Sequence, residues 1–152
     1  LAMPRIVRKL ANETVNNSAS LQNDDHLFFS IFPNEVWSFD IYLTFSTAGA
    51  TPGFSADVTF PAGAVGAQNV YLMSTTVFVA RSNGGLGTLF TSSGTALANG
   101  GVTINCHITN GSTAGTVQLL WAQSVANATD TIVIGAAAAS GSTSWLIARR
   151  LL

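Results

Sequence analysis

Four segments of the chain alternate between apolar and polar residues, which is the pattern of a β-strand with one buried face. In the clearest of them, residues 35–45, one face carries Trp37, Phe39, Ile41, Leu43 and Phe45. The same alternation marks residues 54–60, 102–109 and 116–123. Because antiparallel sheets commonly bury one face and hydrate the other, the alternation predicts antiparallel pairing.

Weaker strand patterns and Gly-, Asn- and Pro-rich turns fill most of the remaining chain. Further strands are predicted at 5–9, 26–32, 69–80, 86–91, 131–138 and 144–150. Turns are predicted at 32–35, 46–53, 82–85, 97–101 and 109–115. No segment has the period of a strongly amphipathic helix. Regularly spaced short strands with glycine-rich turns indicate an all-β fold, an antiparallel β-sandwich or jelly-roll-like domain.

The opening of the chain differs from the rest because it is polar and lacks a long apolar face. A length of 152 residues is typical of one domain. We therefore expect an N-terminal arm and first strand over residues 1–25, and a single β domain over 26–152. One interpretation of the arm is an extended segment that packs on a neighbouring subunit rather than on its own core.

The few charged residues are unevenly distributed. They make up 9% of the chain, against roughly 25% in ordinary globular proteins. Almost all the cations lie near the two ends of the chain: Arg5, Arg8, Lys9, Arg149 and Arg150. The net charge of −1 disfavours generic binding to nucleic acid. We predict that the two ends lie together, as neighbouring strands, and form a basic patch that docks on a partner protein.

Residues suited to metal binding or nucleophilic catalysis are few, and none forms a recognisable motif. One cysteine and two histidines do not make a zinc site. His26 follows Asp24 and Asp25, but adjacent side chains of a strand point to opposite faces. For the same reason Cys106, which we expect to be buried, does not pair with His107.

Two carboxylates, Asp40 and Asp57, lie on the polar faces of predicted strands. They are the one pair to test for glycoside hydrolysis, which needs two carboxyl groups roughly 5–10 Å apart. We expect a protein that is not an enzyme and has no catalytic, metal or cofactor site. No run of 18 apolar residues predicts a membrane span.

The three tryptophans could form a platform for stacking against sugars. Trp37 and Trp121 lie on apolar strand faces, which favours packing in the core. The pattern around Trp145 leaves both interpretations open.

Four stretches of the sequence resemble small virion proteins of tailed bacteriophages. The stretches are "RKLANETVNNSASLQNDDHLF" (Arg8 to Phe28), "NEVWSF" (Asn34 to Phe39), "VQLLWAQ" (Val117 to Gln123) and "LIARR" (Leu146 to Arg150). They cover both ends of the chain and leave the middle, 47–110, without a match. The resemblance implies a structural protein of the virion. Capsid decoration (cement) proteins and tail-fibre or tail-tip domains are the two alternatives, and both are usually β-rich and often trimeric.

The leading interpretation is a decoration protein on the outer capsid surface, where a homo-oligomer, with a trimer favoured, clamps neighbouring major capsid subunits. The basic ends would then dock on the capsid. The alternative is a tail protein that binds a host glycan or receptor through loops 46–53, 82–101 and 109–115. Neither interpretation calls for a cofactor, nucleic acid or membrane.

Overall fold

The computed structural model describes residues 3–47, 51–74, 78–92, 100–135 and 143–152. Every regular element in these ranges is a strand. The strands are β1 (Arg5–Arg8), β2 (Glu13–Val15), β3 (Gln22–Ile31), β4 (Val36–Thr47), β5 (Phe54–Thr59), β6 (Val65–Ser74), β7 (Phe78–Gly85), β8 (Phe90–Ser92), β9 (Gly100–Thr109), β10 (Gly115–Ala122), β11 (Thr131–Val133) and β12 (Trp145–Arg150).

Two antiparallel sheets form the fold. The large sheet has the order β1-β12-β4-β9-β6-β7, with β11 and β2 added beside β4, and the small sheet has the order β3-β10-β5-β8. From β3 to β11 the chain alternates between the two sheets, with the β6–β7 hairpin staying in the large one. The predicted all-β antiparallel sandwich is confirmed, and the alternation between sheets is jelly-roll-like.

The core lies between the sheets and follows the alternation seen in the sequence. Trp37, Phe39 and Ile41 of β4 are buried, and so are the inward residues of the facing small sheet. Phe54 of β5 stacks on Phe45, with ring centroids 4.4 Å apart. Each fully buried side chain of this size contributes about 1.5–3 kcal/mol relative to an exposed one. This two-layer burial is what holds the sheets together.

The N-terminal segment forms the outer edge of its own large sheet. The short strands β11 and β12 lie one after the other along the same side of β4. Strand β1 pairs with β12, and β2 pairs with β11. The segment is extended, and β12 and β11, with which it pairs, belong to this chain's own domain. Packing of the segment on a neighbouring subunit stays a prediction. Strand β2 was missed in the sequence because three residues are too few to show a period.

The region from 65 to 92 departs from its prediction in two ways. The strand predicted at 69–80 is two antiparallel strands, β6 and β7, with residues 75–77 outside the described ranges. The turn predicted at 82–85 lies inside β7, and the turn follows at 86–87, where Gly87 has a φ of 70°. A side chain at Gly84 would meet the Thr88 hydroxyl at 2.7 Å, so this glycine serves close packing rather than a turn.

Candidate functional site

The two ends of the described chain lie side by side, as predicted. Strand β1 is antiparallel to β12, with Arg5 opposite Ala148 and Arg8 opposite Trp145. Beyond β12, the Leu151 N–H donates to the Val36 carbonyl at 2.7 Å, and the Val36 N–H donates to the Leu152 carbonyl at 3.1 Å. We call this end of the sandwich the terminal end. It also carries the turns at 32–35 and 110–114.

Lys9 does not belong to the predicted basic patch, because its side chain is 0% exposed. Its Nζ lies 2.7 Å from Glu13 Oε2 and 2.6 Å from Asp24 Oδ2. We call Lys9, Glu13 and Asp24 the seam cluster, because Asp24 lies in β3, an edge of the small sheet, and Lys9 and Glu13 lie on the N-terminal edge of the large sheet. Lysine is almost never fully buried unless it is paired, so both carboxylates are needed to hold it there.

Arg150 and Arg5 surround the buried carboxylate of Glu35 at the terminal end. Arg150 Nη1 lies 3.0 Å from Glu35 Oε1. Glu35 Oε2 accepts hydrogen bonds from the Phe32 N–H and from Trp37 Nε1, both at 2.9 Å. Burial alone would raise the pKa of Glu35, but these hydrogen bonds and the charges of Arg150 and Arg5 together hold it below its usual value.

Arg5 is fixed by contacts of two kinds. Its guanidinium lies over the Trp37 ring at 5.1 Å from the centroid. Its Nη1 donates to the Ser30 carbonyl of the small sheet at 2.8 Å. A cation over an aromatic face contributes about 0.5–1 kcal/mol at an exposed site. Arg5 therefore bridges the two sheets at the terminal end.

Arg149 and Arg8 make fewer contacts than Arg5 and Arg150. Arg149 Nη1 lies 3.4 Å from Asp40 Oδ2, and the two side chains are 50% and 25% exposed. Arg8 is exposed, and no salt bridge to it occurs within the described ranges. It lies three residues along β1 from Arg5, about 10 Å away at the rise of a strand.

The predicted five-cation patch is therefore smaller and less basic than expected. Three arginines, which we call the arginine cluster, lie near the terminal end: Arg5 and Arg150 beside Glu35, and Arg149 beside Asp40 on the outer face of the large sheet. The five groups carry a formal net charge of +1. The prediction placed Lys9 in this patch because sequence proximity to Arg8 does not reveal burial.

Exposed apolar side chains lie around the arginine cluster, and we call them the apolar rim: Phe32, Val65, Leu151 and Leu152. Phe32 is 59% exposed and Val65 is 64% exposed. Val65 belongs to this end because it pairs with Thr109, which also pairs with Val36. The rim was not predicted from the sequence. A usable signal was present, since Phe32 is out of phase with the buried Leu27, Phe29 and Ile31 of β3.

The three tryptophans, considered as a platform for stacking against sugars, lie in different parts of the sandwich. Trp37 and Trp121 are buried in the core, as predicted. Trp145 lies on the outer face, half-buried, and stacks on Tyr42 with ring centroids 4.1 Å apart. The three rings are thus divided between core and surface and do not form one platform.

The carboxylates considered for hydrolysis lie in different sheets. Asp40 alternates with the buried Phe39 and Ile41 of β4, and Asp57 alternates with buried residues of β5, so the two point to opposite outer faces of the sandwich. They do not share a cleft. Burial raises the pKa of Asp57, and a hydrogen bond from the Val58 N–H opposes that shift.

The remaining neighbouring polar residues considered for catalysis or metal binding also point away from each other. Cys106 faces the core, where burial and the charge of Asp40 raise its pKa to about 12, while His107 is exposed on the other face. Asp24 is buried and Asp25 is exposed, so the "DDH" run does not converge. Within the described ranges, no group of three or more His, Cys, Asp or Glu side chains could hold a metal ion.

The loops proposed as a receptor surface lie apart. Residues 109–115 join β9 to β10 at the terminal end, and the described residues of 46–53 are the end of β4 and the start of the approach to β5, at the opposite end. Part of loop 46–53 and part of 82–101 lie outside the described ranges. The described residues include no helix of the length and apolarity that a membrane crossing requires.

Comparisons with known proteins add little. No protein-family model matches the chain, and no curated protein matches it. One solved structure that it resembles is described as the structure of infectious bursal disease virus Gx strain, with 8% identity and a TM-score of 0.23. The match covers 96% of this chain, which spans 35% of the viral chain. That TM-score is too low to indicate a shared fold, so the likeness carries no information on fold or function.

Proposed function

We propose that this chain is a non-enzymatic structural protein of a phage virion, a capsid decoration protein that binds the outer shell as a homo-oligomer, with a trimer favoured. The observation that carries the proposal is the terminal end, where the apolar rim surrounds the arginine cluster. Protein interfaces are enriched in aromatic residues and arginine and depleted in lysine, and the terminal end brings exposed apolar side chains, Phe32 among them, close to three arginines. The resemblance of the two ends of the sequence to phage virion proteins supports the same partner, the major capsid protein.

The small net charge of the terminal end has a consequence for binding. Because Glu35 and Asp40 offset two of the three arginines, long-range attraction to an acidic shell would contribute little. Apolar contacts would supply most of the affinity, and those are insensitive to moderate salt, whereas contacts between exposed charges are screened. Binding to the shell should therefore weaken only slightly between low and physiological ionic strength.

Matched valine substitutions test the docking surface. Val65 lies on the apolar rim, and Val125, which is 50% exposed, follows β10 at the opposite end of the sandwich. Shells that lack the protein are mixed with Val65→Lys or Val125→Lys protein and sedimented. We expect Val65→Lys to lose shell binding and Val125→Lys to keep it, with both proteins equally stable. Equal binding by the two variants would contradict docking through the rim.

Copy number separates the leading proposal from the tail alternative. A decoration protein should be present in purified virions in numbers comparable to the major capsid protein, and a tail protein in far smaller numbers. Light scattering of the isolated protein should give a multiple of the monomer mass. The separation of loops 46–53 and 109–115 at opposite ends disfavours a single receptor surface that includes both.

A further inference from the structure

We propose that Lys9 and Asp24 condense to form an isopeptide bond, assisted by Glu13, and that this bond stitches the two sheets together at the seam cluster. The inference is independent of the proposed function. A buried amine contacts a buried carboxylate here, and a second carboxylate also accepts a hydrogen bond from the same amine. Lys9 Nζ lies 2.6 Å from Asp24 Oδ2 and 2.7 Å from Glu13 Oε2.

The amine and the carboxyl group are positioned to react. A nitrogen hydrogen-bonded to a carboxyl oxygen is close to the separation of about 3–3.5 Å from the carboxyl carbon that defines a near-attack geometry. The side chains of Lys9 and Asp24 are each 0% exposed, so water does not separate them. Well-oriented intramolecular groups reach effective molarities of about 10⁵–10⁸ M, which lowers the barrier to condensation.

The backbone of β3 supplies donors for the oxygen that would gain charge. Asp24 Oδ1 accepts hydrogen bonds from the His26 N–H at 2.9 Å and from the Leu27 N–H at 2.8 Å. Attack by Nζ on Cγ converts Oδ1 into an oxyanion. Two N–H groups aimed at such an oxygen are the arrangement that stabilises tetrahedral intermediates in acyl transfer.

Glu13 is placed to move protons. Its Oε2 accepts from Lys9 Nζ, and its Oε1 accepts from Gln22 Nε2 at 2.8 Å, which fixes the carboxylate. In the proposed step the Nζ–Cγ bond forms and the Cγ–Oδ2 bond breaks. Glu13 carries protons from Nζ to Oδ2, so two of the three ammonium protons leave with Oδ2 as water and one stays on the amide nitrogen. The ammonium and carboxylate charges cancel, and no oxidant or cofactor is needed.

The neutral amide product has a lower desolvation cost in this buried site than the charged reactants. A buried ion pair retains the desolvation cost of both charges, whereas an amide is neutral. The released water has a way out, because Glu13 is 13% exposed and is the side of the seam cluster open to solvent. The bond would join β3, an edge of the small sheet, to the N-terminal edge of the large sheet, and so close one side of the sandwich covalently.

Intact-mass measurement of the denatured wild-type protein tests the proposal directly. We expect the chain to be lighter than its sequence by the mass of one water molecule. Cleavage after Glu13 should then leave the peptides containing Lys9 and Asp24 joined. A folded wild-type sample that keeps its full sequence mass after prolonged incubation at neutral pH would overturn the proposal, whatever the variants do.

Two matched substitutions test the role of Glu13. Glu13→Gln keeps the size and hydrogen-bonding capacity of the side chain but cannot carry the proton, so the full sequence mass should return. Asp25→Asn changes the exposed neighbouring carboxylate and should leave the mass loss unchanged. A folded Glu13→Gln protein that still loses water as fast as wild type would overturn the assignment of Glu13. Lys9→Arg replaces the primary amine with a guanidinium, so this variant should keep the full sequence mass whatever the role of Glu13.

Discussion

The seam cluster and the arginine cluster use the same kinds of side chain in opposite ways. In the seam cluster, Lys9 and Asp24 are both 0% exposed and held at 2.6 Å. In the arginine cluster, Arg149 and Asp40 are 50% and 25% exposed and 3.4 Å apart. Water solvates the second pair and is excluded from the first. The seam cluster therefore serves the integrity of the fold, while the arginine cluster stays at the solvent-exposed surface.

Replacing the buried lysine should have the largest effect on stability. Lys9→Met leaves two carboxylates without a counter-charge in a dry site, and removing one partner of a buried pair costs about 3–5 kcal/mol. The loss holds whether Lys9 and Asp24 are paired as ions or joined covalently. The free energy of unfolding from denaturant titration measures it.

The adjacent arginine supplies the control for this prediction. Arg8 is exposed and without a salt bridge within the described ranges, so Arg8→Met should change stability by no more than about 0.5 kcal/mol. If Lys9→Met and Arg8→Met unfolded with similar free energies, the distinction between the two clusters would collapse.

Replacing Glu35 should have an intermediate effect on stability, because Glu35 is buried yet belongs to the terminal end. Its Oε2 accepts from the Phe32 N–H and Trp37 Nε1, and a hydrogen bond to a charged group contributes about 1.5–3 kcal/mol. Glu35→Gln removes the charge but keeps an acceptor, so we expect a loss at the lower end of that range near neutral pH.

The lowered pKa of Glu35 gives this loss a pH dependence of known sign. A carboxyl group whose pKa is lower in the folded state stabilises the fold fully above its unfolded value of about 4.3, and that stabilisation disappears as the pH falls through the folded value. The stability difference between wild type and Glu35→Gln should therefore shrink as the pH falls from about 6 to about 3. A difference that grew on acidification would contradict the sign of the shift.

Loss of the exposed Arg149–Asp40 pair should have the smallest effect on stability. Arg149→Ala removes a half-exposed contact of a kind that contributes a median of about 0–1 kcal/mol. We expect the unfolding free energy to change by less than about 1 kcal/mol, and the change to vanish in high salt. A loss comparable to that of Lys9→Met would show that the terminal end is also structural.

The sandwich was predictable because alternation records burial directly. Strand β4 shows this most clearly, since from Trp37 to Ser46 its inward residues are apolar and its outward residues are polar or, at Tyr42, aromatic with a hydroxyl. The adjacency of β1 and β12 was predictable from the matching basic-apolar character of the two ends. The β6–β7 hairpin was not, because Ser82–Gly85 looks like a turn by composition and becomes a strand only through pairing with β6.

The site was predictable only in part. Pairing of β1 with β12 places Arg5 and Arg150 at the same end of the domain, where both act on Glu35, while Arg149 contacts Asp40 on the outer face. Lys9 was assigned wrongly, since nothing local in "RKLANE" reveals that Asp24, which lies fifteen residues later, turns inward to meet it. Such a partnership depends on how the two sheets close, and a single sequence does not encode that as a local pattern.

We propose that the terminal end docks on a capsid shell while the seam cluster stays sealed inside the domain. A reconstruction of the purified virion, at a resolution that orients the sandwich, tests it most directly. We expect this domain on the outer shell, with Phe32, Val65 and the arginine cluster facing the major capsid protein. Density for the domain on the tail alone, or on the shell with the terminal end facing solvent, would contradict it.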